Sequence, residues 1–85
     1  MGDYNGWKNR QTWNVALWLS NDEATYRQVR DYATRKRRQG SRIRYWNFIK
    51  SVGLDQERTP DGIAYLGTRL DYAALDELVS ELGEE

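Results

Sequence analysis

Three of the four tryptophans of this 85-residue chain, Trp7, Trp13 and Trp18, fall within twelve positions of one block, Tyr4-Asn5-Gly6-Trp7-Lys8-Asn9-Arg10-Gln11-Thr12-Trp13-Asn14-Val15-Ala16-Leu17-Trp18-Leu19. Indole is the largest apolar surface a side chain offers, and its N–H needs a partner once buried. A cluster of this density therefore marks a core or a recognition surface. A chain this short buries only a little over ~60% of the surface its unfolded form exposes, so its core depends on each large apolar residue. Cysteine is absent, and no disulfide or thiolate metal site can reinforce that core.

Histidine is absent as well. The two absences remove the commonest zinc ligands, the Ser/His/Asp and Cys/His nucleophilic arrangements, and the usual proton shuttle near neutral pH. The acids show no EF-hand spacing, and no glycine-rich phosphate loop occurs. No enzyme, metal or cofactor is expected from these residues. The composition, 39% apolar and 31% charged, is that of a soluble globular chain with an aromatic core. No apolar run approaches the ~18 residues that span a bilayer, and the opening residues lack a signal-peptide pattern, so the expected location is the cytoplasm.

Four helical segments are readable, which makes the expected fold a single all-α domain over residues 1–85, a compact bundle. Asn9 can cap a first helix reaching about Ser20. At 100° per residue Trp13, Val15, Ala16, Leu17, Trp18 and Leu19 surround that helix on almost every side, so it is expected to be the buried central element, with Trp13 and Trp18 in the core. Asn21-Asp22-Glu23 supplies a cap for a second helix that ends at Gly40. Tyr26, Val29, Tyr32 and Ala33 form its packing face, and Arg27, Arg30, Arg37 and Arg38 its solvated one. Ser41 can cap a third helix, with Ile43, Tyr45, Trp46, Phe48, Ile49 and Val52 on a wide apolar arc and Gly53 as its stop. The turn signal Thr59-Pro60-Asp61-Gly62 interrupts the following stretch, and residues 63–66 read as a loop pinned to the core in preference to a short strand. Asp71 caps a last helix with Tyr72, Leu75, Leu78, Val79 and Leu82 in one stripe and Asp76, Glu77 and Glu81 outward.

The formal charge is zero only by cancellation. Residues 27–50 carry nine basic side chains against Asp31 alone, a net +8, and residues 51–85 carry nine acids against Arg58 and Arg69, a net −7. Asymmetry of this kind bears on partners rather than on fold. Arg37, Arg38, Arg42, Arg44 and Lys50 form a candidate phosphate-binding face on which Tyr45 and Trp46 could stack on exposed bases. The bland alternative is a solvated face neutralised by the acids of the last helix. A helix-turn-helix about Gly40 fails, because Lys36 stands at the position that needs a small residue and Gln39 and Ser41 at positions that need apolar ones. Trp7, ahead of the first helix, is divided between core and surface anchor. Phe48 belongs to an arc on the third helix that is wider than one neighbouring helix can cover. That arc is expected to pair two copies as a homodimer or to meet a foreign partner.

Tyr4-Asn5-Gly6-Trp7, Asn9-Arg10, Thr12-Trp13-Asn14-Val15-Ala16-Leu17-Trp18 and Asn21-Asp22 resemble the opening block of small proteins of unknown function encoded by tailed phages and plasmids. Thr59-Pro60-Asp61-Gly62 and Leu70-Asp71-Tyr72-Ala73-Ala74-Leu75-Asp76-Glu77-Leu78 are similar to that family's closing pattern. Gln11 stands where the family usually has Glu, and Ala74 where Glu is common. The resemblance implies an accessory protein of phage or plasmid type and carries no activity onto individual residues. The function expected first is therefore binding of a host or phage protein, with a role in host takeover or counter-defence. Binding of nucleic acid through the basic face is the alternative.

Overall fold

The computed structural model describes residues 6–84, so Tyr4 and Asn5 of the opening block lie outside the described residues. Four helices form, α1 (Arg10–Asn21), α2 (Glu23–Gln39), α3 (Tyr45–Ser51) and α4 (Tyr72–Leu82). Their ends are set largely by side chains. Asn9 Oδ1 accepts the Thr12 N–H at 2.9 Å and the Thr12 hydroxyl at 2.7 Å to open α1. Asp22 serves two helices at once. Its N–H donates to the Trp18 carbonyl to close α1, and its carboxylate accepts the Thr25 N–H and hydroxyl to open α2. Gly40, at φ 72°, ends α2 while Ser41 N–H reaches back to the Lys36 carbonyl, a pairing that requires a left-handed residue.

Ser41 does not cap the third helix. α3 starts four residues later, its N-cap Arg44 makes no side-chain capping bond, and the Tyr45 N–H donates instead to Asp76 Oδ1 on α4 at 2.7 Å. Asp76 is thus turned inward as a cap supplied by a neighbouring helix rather than solvated. The same need of an orphan helix N–H is met from across the fold. Asp71 caps α4 as the sequence indicates, accepting the Ala74 N–H.

The core is Val15 and Leu19 of α1, Val29 and Tyr32 of α2, Tyr45, Phe48 and Ile49 of α3, Leu75, Val79 and Leu82 of α4, with Ala16, Tyr65 and Leu70. Each helix contributes residues at i, i+3, i+4 or i+7, which is the spacing of one face. The central helix is α4, which packs against each of the other three, and not α1, which packs mainly against α2 and α4. Trp13 and Trp18 are half-buried at the outer side of α1. So small a domain has too little chain to wrap a helix on all sides, and the Trp rings are covered only in part.

The link from α3 to α4 folds into turns with an antiparallel bridge between Arg58 and Ala64. Gly62 N–H donates to the Thr59 carbonyl at 2.8 Å with Pro60 in the second position of the turn. This turn is bolted to α1 through Asn14, which is 1% exposed. Asn14 Nδ2 donates to Asp61 Oδ2 at 2.7 Å, its Oδ1 accepts the Thr59 hydroxyl at 2.7 Å, and Trp18 Nε1 donates to the same Asp61 oxygen at 2.9 Å. Nearby, Asn9 donates to the Arg69 carbonyl and the Asp71 N–H donates to the Thr12 hydroxyl. The Trp-rich block and the two stretches of the closing pattern therefore meet in space.

Two outcomes follow for stability. Phe48→Ala should cost about 3–5 kcal/mol, since Phe48 is wholly buried, whereas Trp46→Ala should stay within about 0.5 kcal/mol; denaturant unfolding of the two variants checks this. The hydrogen bonds from Asn14 and then Trp18, with Arg10 nearby, hold the Asp61 carboxyl below its ordinary pKa. Its contribution is complete above the usual carboxylate range and is lost as pH falls through the lowered value. The melting temperature should therefore fall below about pH 4, and Asp61→Asn should flatten that acid limb.

Candidate nucleic-acid interface

The basic residues of the middle segment do not act as one group. Arg37 is used by the fold: its guanidinium donates to the Ser80 carbonyl at 2.6 Å and the Gly83 carbonyl at 3.0 Å and lies 3.5 Å from Glu84. It closes the C-terminal end of α4, where unpaired carbonyls and the helix dipole favour a cation. Gly83 permits this approach, since a Cβ there would overlap the Cβ of Ala33. Lys50 stands 3.8 Å from Asp55 and over the Trp46 ring at 5.1 Å. Arg27 pairs with Glu23 one turn away, with both side chains exposed.

Arg35, Arg38, Arg42 and Arg44 are exposed and take part in no ion pair among the described residues. With Arg27, Arg30 and Lys36 they extend from the outer face of α2 to the start of α3. Arg27, Arg30, Asp31, Thr34, Arg35 and Arg38 line an open trough of about 620 Å³ along that face. The two halves of the surface are joined at Tyr32. Arg35 and Lys36 lie over its ring at 5.9 and 5.6 Å, and the ring meets Phe48 of α3 edge-on at 5.5 Å. Its hydroxyl is buried with no hydrogen-bond partner among the described residues. Burial pushes the Tyr32 phenol up, against a smaller pull from the Arg35 charge.

Tyr45 and Phe48 are wholly buried and belong to the core. Neither can stack on a partner, and with them α3 loses the apolar arc expected to pair two copies. Its apolar side faces α4 and Tyr32, and one short helix is covered by those neighbours. What remains outside is Trp46, 49% exposed. It lines a cleft of about 410 Å³ together with Arg44, Leu66, Gly67, Thr68, Tyr72 and Asp76. The Tyr72 hydroxyl donates to the Gly67 carbonyl at 2.7 Å and so holds the loop wall of the cleft. Burial raises the Tyr72 pKa, which keeps that donor protonated.

Trp7 is half-buried elsewhere, between α1 and α4. One side of it borders a groove with Ala74, Glu77, Leu78 and Glu81, the other a groove with Trp13, Ala16, Leu17, Ser20 and Asn21. Among the described residues no cluster of acids has the arrangement of a metal site, and no helix is long and apolar enough to cross a membrane.

Of the residues the sequence points to, the structure leaves Arg38, Arg42, Arg44 and Lys50 exposed, uses Arg37 inside the fold, buries Tyr45 and Phe48, and places Trp7 between α1 and α4. Arg35, Lys36 and Tyr72 are additions. The helical wheel of α2 contains the signal for Arg35 beside Arg38. Nothing local could have placed Tyr72 beside Trp46, since the two are joined only by packing.

The chain belongs to a family of unknown function (DUF7249), whose model matches residues 1–85. No curated protein and no solved structure matches it. The family match spans both the Trp-rich block and the Thr59-Pro60-Asp61-Gly62 turn that the fold joins.

The division of labour among the arginines can be tested by stability alone. Arg37→Ala should lower it by on the order of 1 kcal/mol, the scale of charge-assisted hydrogen bonds weakened by solvent. Arg38→Ala, one position along, should leave the unfolding midpoint where it was.

Proposed function

We propose that this chain is a non-enzymatic binding module whose working surface is the cationic face of α2 and the 41–44 segment, and that it engages the phosphate backbone of a nucleic acid. The supporting observation is the charge left over after folding. Arg35, Arg38, Arg42 and Arg44 remain exposed and outside any ion pair among the described residues, with Asp31 the one acid in the trough that Arg35 and Arg38 line, although the chain as a whole is neutral. The acids of α4 are engaged elsewhere: Asp76 caps α3, and Glu77 and Glu81 lie beside Trp7. From Arg27 to Arg38 the stripe is about 16 Å long at ~1.5 Å per residue, enough to follow several phosphates of one strand. Arginine suits the task because its planar fork of donors matches phosphate oxygens in pairs.

The groove about Trp7 favours a second contact, with a protein. Half-buried Trp7 has Leu78 with Glu77 and Glu81 on one side and half-buried Trp13 and Leu17 on the other, an aromatic patch with acids along one edge, the make-up of an interface anchor. A small accessory protein of phage or plasmid type, the class its opening block resembles, would use the two surfaces in the host cytoplasm on host or phage nucleic acid and on a host or phage protein. Host takeover or counter-defence follows from that class and not from the geometry.

The test is the salt dependence of binding to labelled oligonucleotides. Affinity should fall steeply with salt, and the variant carrying Arg35→Gln, Arg38→Gln and Arg42→Gln should flatten the log–log slope by about 2 on single strands, at ~0.7 per phosphate contact. Absence of binding to any DNA or RNA at low salt overturns the proposal.

A further inference from the structure

Resting on that reading, we infer that the nucleic acid is single-stranded, and that the cleft beside Trp46 receives one unpaired base while Arg44, Arg42 and Lys50 hold the phosphates on either side of it. Trp46 is the one large apolar side chain left exposed among the described residues, and it lines one cleft with Arg44 and carries Lys50 over its ring. Burying such a ring is favourable, and an indole left half in water at the edge of a basic face is a stacking platform.

The cleft selects a base over a phosphate. Its lining is mostly apolar, from Trp46, Leu66 and Tyr72, and its only acid, Asp76, sets a carboxylate on the wall, which repels phosphate oxygens. Arg44, the residue before α3, is part of the lining and sets a cation where the base's own phosphate would lie, Arg42 precedes it by two, and Lys50 lies over the indole without lining the cleft. At about 410 Å³ the space is at the small end of ligand pockets and admits one planar ring system. The walls are prearranged: Tyr72 is fixed to Gly67, Tyr45 to the Tyr65 carbonyl, and the Tyr45 and Tyr72 rings meet at 5.9 Å. A base can enter only if it is not already stacked in a duplex, so the geometry favours single strands, loops or frayed ends.

Fluorescence anisotropy on a single strand and on the duplex of the same sequence, with wild type, Trp46→Ala and Trp46→Phe, decides it. Wild type should bind the single strand more tightly. Trp46→Ala should weaken that binding about tenfold or more, leave the duplex within about twofold, and be largely rescued by Trp46→Phe, which keeps a ring to stack. Equal wild-type affinity for the two forms overturns the inference and leaves the cationic face standing. So does a single-strand affinity that is indifferent to Trp46→Ala yet lost when Arg35, Arg38 and Arg42 are replaced by Gln. No binding to either form overturns both. Unfolding of Trp46→Ala at the wild-type midpoint shows that the losses arise at the surface.

Discussion

The side chain on which the most else depends is the buried amide of Asn14. An amide withdrawn from water must find partners for both its ends, and Asn14 finds them in one turn: Asp61 takes its N–H and Thr59 gives its hydroxyl to its oxygen. That pair of bonds fixes a long irregular connection against α1. The connection then places Tyr65 in the core and Leu66, Gly67 and Thr68 as one wall of the cleft beside Trp46. Asn14 does not touch the cleft, yet without its two bonds the wall would have no fixed position. A polar network of this sort specifies one arrangement of a loop where apolar contact alone would accept several.

Charge works differently at different depths of this molecule. The opposed segments, +8 and −7 in the sequence, invite the expectation that the middle and the end of the chain neutralise one another. They do so at the two contacts Arg37–Glu84 and Lys50–Asp55 among the described residues. The reason is geometric. α4 is the helix about which the others pack, so its flanks are occupied, and its acids face either the α3 terminus or the Trp7 groove. α2 lies at the outside with its basic edge turned to water. Exposed pairs contribute too little to pull such helices together, so packing decides which charges meet.

Tyr32 links the two themes. Its ring is core, packed on Phe48, while two cations rest over it. Cation–π contact with an otherwise buried ring holds Arg35 and Lys36 near the start of α3 instead of letting them spread into solvent. The cationic surface therefore has a fixed attachment to the hydrophobic core.

Much of this was written in the sequence. Asn9, Asp22, Gly40 and Asp71 announce helix ends because capping is local: a side chain within three residues meets an orphan N–H, or a glycine accepts φ above zero. The stripes of α2 and α4, the turn at Pro60, and the cationic edge of α2 follow from periodicities of a few residues. Three features did not. The start of α3 shifted to Tyr45 because its cap comes from Asp76, 31 residues away. Trp13 and Trp18 stayed at the periphery because a wheel that is apolar all round says nothing about whether enough chain exists to cover it. Tyr45 and Phe48 went inside while Trp46 stayed out, and on a helix of seven residues the choice of which arc faces inward belongs to the neighbours. The sequence determined what short-range physics governs, the helices, their ends and the excess of positive charge. Tertiary structure alone decided which cations and which single indole were left over, since that depends on contacts between residues far apart in the chain.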